Sequence, residues 1–143
     1  MFSEQVGSLM ERNLLTVPPE TTVREAATLM AQRRVGAVLV VRDGGLAGIF
    51  TERDVVFRVI ARGLDVSGTR LGEVMTTPVK TIDSGKTYGY ALLLMHENGF
   101  RHLPVLDGGR LAGIVSARNA MDPDLEEFVS ESRRREQILR EPG

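Results

Sequence analysis

Two matching segments carry the residue types best suited to chemistry: Gly48-Ile49-Phe50-Thr51-Glu52-Arg53-Asp54 and Gly113-Ile114-Val115-Ser116-Ala117-Arg118-Asn119. Each leaves an apolar, strand-like stretch and enters a helix start. That junction exposes backbone N–H groups and the positive end of a helix dipole, which suit an anion. The Thr51 hydroxyl can hold a phosphate or sugar oxygen. One turn on, Asp54 can accept two hydrogen bonds from a vicinal diol such as a ribose. The same pair also reads as a capping pair, hydroxyl at the N-cap and acid at N3, and the sequence leaves both readings open.

Little else in the chain suggests catalysis. Cys is absent and there are only two His, with no Ser/His/Asp spacing and no His-x-x-x-His metal pair. The glycines of Asp43-Gly44-Gly45 and Gly108-Gly109 read as hairpin turns, since no Lys-Ser/Thr helix start follows either, as a phosphate loop requires. The expectation is a protein that is not an enzyme and needs no obligatory cofactor or metal.

The elements that must position these segments follow from a repeat. Sliding the sequence on itself from Met10 to Met75 gives an ungapped match that runs to Asp54 and Asn119. Thr16 falls on Thr81, Thr22 on Thr87, Ala26 on Ala91 and Met30 on Met95. Leu46-Ala47-Gly48-Ile49 returns as Leu111-Ala112-Gly113-Ile114, and Arg53 as Arg118. Each copy reads β-α-β-β-α. Leu14 to Val17 is a short strand stopped by Pro18-Pro19. Thr22 caps a helix with a helical apolar period, the β-branched run Ala37–Val41 is a buried strand, and Asp43-Gly44-Gly45 turns it into Leu46–Phe50. A helix then runs from Thr51 to about Arg62, closed by Gly63. The second copy predicts a strand over Val79–Ile82, a helix over Thr87–Asn98, a hairpin over Leu103–Val115 and a last helix from Ser116. The fold class is therefore mixed α/β (α+β): repeat 1 over 1–66 with a helical lead-in, repeat 2 over 67–121, and a C-terminal helical tail over 122–143.

The chain has 143 residues, 42% of them hydrophobic, with 18 Lys+Arg against 19 Asp+Glu. Sixty-odd residues are marginal alone, about 60% of their surface being buried on folding, so the copies are expected to pack together around a pseudo-two-fold axis. Helix 87–98 places Tyr88, Ala91, Leu92 and Met95 on one face and Tyr90, Leu93 and Leu94 on the other. Helix 52–62 is apolar nearly all round through Val55, Val56, Phe57, Val59 and Ile60. A helix apolar on both sides needs cover on both sides, which predicts a homodimer through 52–62 and 87–98. His96, in mid-helix, reads as a surface or interface residue. The tail starts with Asp122 as N-cap and Pro123 at N1. Leu125, Phe128, Val129 and Ile138 give it only a thin apolar stripe, so it reads as a solvated or partner-docked helix, and its acids outnumber the arginines of Arg133-Arg134-Arg135 and Arg140, which speaks against nucleic acid there. A net charge of −1 gives no field for a polyanion, so nucleic acid is not an expected partner. Neither is a membrane: no apolar run approaches the ~18 residues that span one, and Met-Phe-Ser-Glu-Gln does not begin a signal peptide. A soluble cytoplasmic protein is expected.

The repeat order, the Thr-containing first strand and the Gly-hydrophobic-x-Ser/Thr-x-x-Asp segment, twice at one offset, resemble a tandem CBS (cystathionine β-synthase) domain pair over about residues 5–121. The resemblance implies two βαββα units with two pseudo-symmetric clefts. It also implies a regulatory module, here standing alone, that takes an adenine nucleotide or derivative. Asp54 matches the family's ribose-binding acid and Thr51 its hydroxyl partner, with Arg53 between them. Thr16, Val17, Val35, Gly36 and Ala37 match the strand edges beside the base. In the second copy Lys80, Thr81, Phe100, Arg101, His102 and Pro104 hold the equivalent places, with Ser116, Arg118 and Asn119 in the helix-start segment. Arg101-His102 resembles groups that reach phosphates, and reads equally as a cationic cap on the preceding helix. Asn119 departs from the pattern: a neutral amide replaces the acid, and hydrogen bonds to a charge are roughly twice as strong. The cleft with Thr51 and Asp54 is thus the better ribose site, with at most one tight nucleotide per chain.

The expected ligand is AMP, ADP, ATP, S-adenosylmethionine or NAD, bound between repeats and reported by a conformational change to a downstream protein. The competing expectation is a ligand-free scaffold whose work is dimerisation or docking.

Overall fold

Short apolar stretches broken by Pro, Gly and Asp set the element order of a computed structural model in which residues 2–117 are described. The order is α1 (Val6–Leu9), β1 (Thr16–Val17), α2 (Val23–Arg33), β2 (Ala37–Arg42), β3 (Gly45–Thr51) and α3 (Glu52–Asp54), the last continued by a π-helical segment over Val55–Ile60. There follow α4 (Leu71–Val74), β4 (Ile82–Asp83), α5 (Tyr88–Asn98), β5 (His102–Asp107) and β6 (Arg110–Ser116). The helix expected beyond Ser116, the tail from Asp122, and Arg118 and Asn119 lie outside the described residues.

The fold is mixed α/β, with two three-stranded sheets, β1-β2-β3 and β4-β5-β6. In each, the first pair is parallel and the second antiparallel. The repeat is kept to single residues. The register of β2 on β3 shifts between Val40 and Val41, and that of β5 on β6 between Val105 and Leu106, so Ala47 and Ala112 of the repeated Leu-Ala-Gly-Ile run each occupy a bulge. Asp43 and Gly44, at φ 51 and 78, make the first hairpin turn, and Gly108 and Gly109, at 57 and 82, the second. Both central residues thus have the positive φ that a tight two-residue hairpin demands.

Helix starts obey the capping chemistry. Thr22 accepts the Glu25 N–H at 3.1 Å while Glu25 accepts the Thr22 N–H at 3.4 Å, a reciprocal box. Thr87 caps α5 by accepting the Tyr90 N–H at 3.3 Å.

Three boundaries differ from the sequence expectation. Strand β1 is limited to Thr16–Val17, although the Leu15 carbonyl still accepts the Leu39 N–H at 2.9 Å. The expected strand Val79–Ile82 begins only at Ile82. Pro104 stands where Leu39 stands in the first copy and has no N–H to donate, so parallel pairing starts one position later, Ile82 on Val105. The helix after β3 leaves the α-form at Val55 for i→i−5 bonding, with the Ala61 N–H on the Val56 carbonyl at 2.9 Å.

The described residues divide into two units, 12–81 and 2–11 together with 82–117. These do not follow the sequence boundary at 66/67. Helix α1 packs within the unit of β4-β5-β6, where the Val6 N–H meets the Lys86 carbonyl at 2.8 Å and the Gly7 N–H meets Ser84 at 3.0 Å. Helix α4 does the same within the unit of β1-β2-β3, through Leu71 to Thr21 at 2.8 Å and Gly72 to Pro19 at 3.0 Å. The lead-in before each repeat therefore belongs to the sheet of the other repeat. The first unit's core is built on Val17, Val23, Ala26, Val38, Val40, Phe50, Val59 and Leu71. The second is built on Val6, Ile82, Ala91, Met95, Leu103, Val105 and Val115. Each fully buried Val, Leu, Ile, Phe or Met among them contributes about 1.5–3 kcal/mol of transfer free energy.

On α5, Tyr88, Ala91 and Met95 are buried and Leu92 and Leu94 pack against the core, while Tyr90 and Leu93 are exposed. After α3, Val59 is buried and Val56, Phe57 and Ile60 are exposed, the last two at 60%. Both expected interface helices thus present bare apolar side chains.

Candidate functional site

The junction between β3 and α3 is the chemically richest place in the first unit. Thr51 ends β3 with extended backbone and caps α3, its Oγ1 accepting the Asp54 N–H at 3.3 Å. In return Asp54 Oδ2 accepts the Thr51 N–H at 3.0 Å and the Thr51 hydroxyl at 3.2 Å. The capping reading of this pair is thus realised in full, and it puts a carboxylate at a strand end with only 7% of its surface exposed.

A buried carboxylate needs every acceptor position answered. Two further partners come from outside the cap, a hydroxyl donor and a cation. The Thr76 hydroxyl donates to Asp54 Oδ1 at 3.2 Å, and Arg58 Nε stands 3.4 Å from the same oxygen. Arg58 also donates from Nη1 to the Met75 carbonyl at 3.1 Å. The Met75–Thr76 segment is laid against β3 by a backbone pair, Thr76 N–H to the Ile49 carbonyl at 2.8 Å and Ile49 N–H to the Thr76 carbonyl at 3.1 Å. Neither Thr76 nor Arg58 was among the residues read from sequence. Thr76 lies 22 positions beyond Asp54, and only the docking of α4 on this sheet brings it there.

The start of β2 lies beside this junction. The Gly36 carbonyl accepts the Glu52 N–H at 3.0 Å, and Ala37 pairs in register with Thr51. Val35, Gly36, Ala37, Thr51 and Asp54 are therefore one local group. Thr16 and Val17 sit on the neighbouring edge of β2, opposite Leu39 and Val40, with Thr16 exposed and Val17 in the core. Arg53 is exposed and lies over the Phe57 ring, 5.3 Å from its centroid. Lys80 is exposed and Thr81 half-buried on the segment leading to β4.

The second unit repeats the frame. The Arg101 carbonyl accepts the Ala117 N–H at 2.9 Å, as Gly36 accepts that of Glu52, and His102 pairs with Ser116 as Ala37 does with Thr51. Phe100 is half-buried against the core, Arg101 is exposed, His102 half-buried, and Pro104 and Ser116 are buried. The last carbonyls of α5, at Met95 and His96, take the backbone N–H groups of Phe100 and Gly99. His96 itself is exposed. Among the described residues no group of three or more His, Cys, Asp or Glu could hold a metal ion, and no helix is long and apolar enough to cross a membrane.

Two copies of one frame are also what comparison with known proteins finds. The CBS-domain family model matches residues 6–61 and again 71–123, and the chain belongs to that family. It is 39% identical over 111 residues to the CBS domain-containing protein YhcV of Bacillus subtilis, covering 78% of this chain and 79% of that one. It is 34% identical to part of the inosine-5′-monophosphate dehydrogenase of Thermoplasma acidophilum, spanning 78% of this chain but only 22% of that enzyme. Among solved structures, a CBS-domain-containing protein from Agrobacterium tumefaciens superposes with a TM-score of 0.79 at 34% identity, over 85% of this chain and 99% of that one. A protein with CBS domains from Burkholderia ambifaria MC40-6, described as a candidate in signal transduction, gives 0.82 at 33%, over 86% and 95%.

Proposed function

We propose that this chain is a regulatory module, not an enzyme, that binds an adenine nucleotide or derivative through Asp54 and passes the binding event to a protein partner. The observation that carries the reading is the buried carboxylate just past the end of β3, whose Oδ1 meets a hydroxyl and a guanidinium from outside the helix cap. Vicinal ribose hydroxyls bring two neutral O–H donors, which can keep the carboxylate hydrogen-bonded in a buried place. Thr51 holds the other oxygen in place through the helix cap. Val35, Gly36 and Ala37, at the start of β2 beside Thr51, would flank the base. Family membership supports the same reading, as does the presence of a related segment in inosine-5′-monophosphate dehydrogenase, where it accounts for only part of a much longer enzyme.

A thermal-shift panel of AMP, ADP, ATP, S-adenosylmethionine and NAD tests it. A ligand at about 100 times its Kd adds about 2.7 kcal/mol, several degrees for a domain of this size, and the shift is expected to vanish in Asp54→Ala. Silence from every compound rejects the reading.

A second reading is favoured by a separate observation, the exposed Val56, Phe57 and Ile60 after α3 and Tyr90 and Leu93 on α5. In it the chain is a homodimeric scaffold joined through 52–62 and 87–98. The two readings are compatible: a dimer gives ligand binding a quaternary structure to report through.

A further inference from the structure

We propose that Thr76 and Arg58 form a latch on Asp54, competing with a ligand diol for the carboxylate, so that binding releases the Met75–Thr76 segment. This rests on the reading of Asp54 as the ligand-binding acid and deepens it by naming what the ligand must displace and what then moves.

Three hydrogen bonds and one ion pair meet the carboxylate: the Thr51 N–H and hydroxyl on Oδ2, the Thr76 hydroxyl on Oδ1, and Arg58 Nε at 3.4 Å from Oδ1. A carboxylate offers about four acceptor positions, so a diol that brings two donors needs one of these partners to yield. The two Thr51 bonds are the reciprocal cap of α3, and giving them up would unravel the helix start. The exchangeable donors are therefore Thr76 and Arg58. Both lead to the same piece of chain: Thr76 belongs to it, and Arg58 grips its Met75 carbonyl at 3.1 Å. What then remains on the segment is the backbone pair of Thr76 with Ile49 and the Met75 side chain lying across Gly48. This segment leads from α4 toward β4, so its release frees the stretch of chain after α4 from the first sheet.

The residue types of this latch are not repeated in the second copy. The position paired with Ile114, as Thr76 is with Ile49, is Glu11, and the counterpart in sequence to Asp54 is Asn119.

The experiment titrates AMP, ATP and S-adenosylmethionine into the full chain by calorimetry, for wild type, Thr76→Val, Arg58→Gln and Asp54→Ala. Amide hydrogen exchange of Ile49 and Thr76 is followed with and without the compound that binds. Valine keeps the shape of threonine and removes the donor. The expected result is binding about three- to tenfold tighter in Thr76→Val, the worth of one competing hydrogen bond, with faster exchange at both amides when wild type is loaded. Arg58→Gln should shift affinity in the same direction, and it serves if Thr76→Val fails to fold. Equal or weaker binding in a folded variant overturns the latch while leaving Asp54 as the ligand's acid. Tighter binding without faster exchange overturns it equally. If wild type binds none of these three, nor ADP or NAD, both the latch and the reading beneath it fall.

Discussion

Met75 lies across Gly48 so closely that a β-carbon at position 48 would overlap its thioether. The relationship recurs as Met10 across Gly113, and in both places the methionine comes from the segment that precedes a repeat. The glycine of each Leu-Ala-Gly-Ile run is thus a seat for the docked lead-in. We expect Gly48→Ala to destabilise the protein by about 1–3 kcal/mol, the usual cost of overpacking, read as a lower urea midpoint. Gly113→Ala should cost at least as much, because its β-carbon would also meet the Glu11 carbonyl oxygen, 2.9 Å away, and backbone yields less readily than a flexible side chain. An unchanged midpoint in both variants would contradict the docking.

Arg34 is a helix C-cap held in the left-handed region at φ 55, the place that Gly99 takes in the second repeat at φ 69. A side chain there costs about 1–2 kcal/mol that glycine avoids. Glycine returns part of that through its freer unfolded chain. The expected outcome is that Arg34→Gly raises stability by about 0.5–1 kcal/mol in chemical denaturation. A loss would show that the arginine side chain makes a compensating interaction.

The cap itself is measurable without any ligand. Thr51→Ala removes the acceptor for the Asp54 N–H and one of the donors to the buried carboxylate. It should cost about 1–2 kcal/mol. Thr51→Ser keeps both bonds and should cost much less, and equal losses in the two would show that packing, not capping, matters at position 51.

The exposed apolar face after α3 gives a prediction about assembly. Placing a charge at its centre with Phe57→Asp should convert a dimer to a monomer in sedimentation at micromolar concentration, with little effect on the fold, because Phe57 is 60% exposed. A wild-type chain that sediments as a folded monomer under the same conditions would remove the homodimer.

Much of this architecture was legible in the sequence because its signals are local. The offset from Met10 to Met75 carried the duplication. Asp43-Gly44 and Gly108-Gly109 carried the hairpins, and Thr51 with Asp54 carried the cap. What escaped depends on partners distant along the chain. Thr76 meets Asp54 only because α4 docks on the first sheet, and no pattern around Thr76 announces it. The exchange of lead-ins did leave a trace: Val6-Gly7 and Leu71-Gly72 stand at the same offset as the rest of the repeat, and those glycines let the short helices close on Ser84 and Pro19. The late start of β4 was also readable, since a proline at 104 removes the donor that Leu39 supplies in the first copy. The π-helical bonding over Val55–Ile60 had no such mark, because its apolar pattern fits an α-helix equally well.

The account turns on whether the Asp54 carboxylate is the group that holds a nucleotide. The most direct measurement is calorimetric titration of the full chain with adenine nucleotides, alongside Asp54→Ala checked for folding by circular dichroism. The account predicts at most one tight site per chain, abolished in the folded variant. Two equivalent sites, or binding untouched by the loss of that carboxylate, would contradict it.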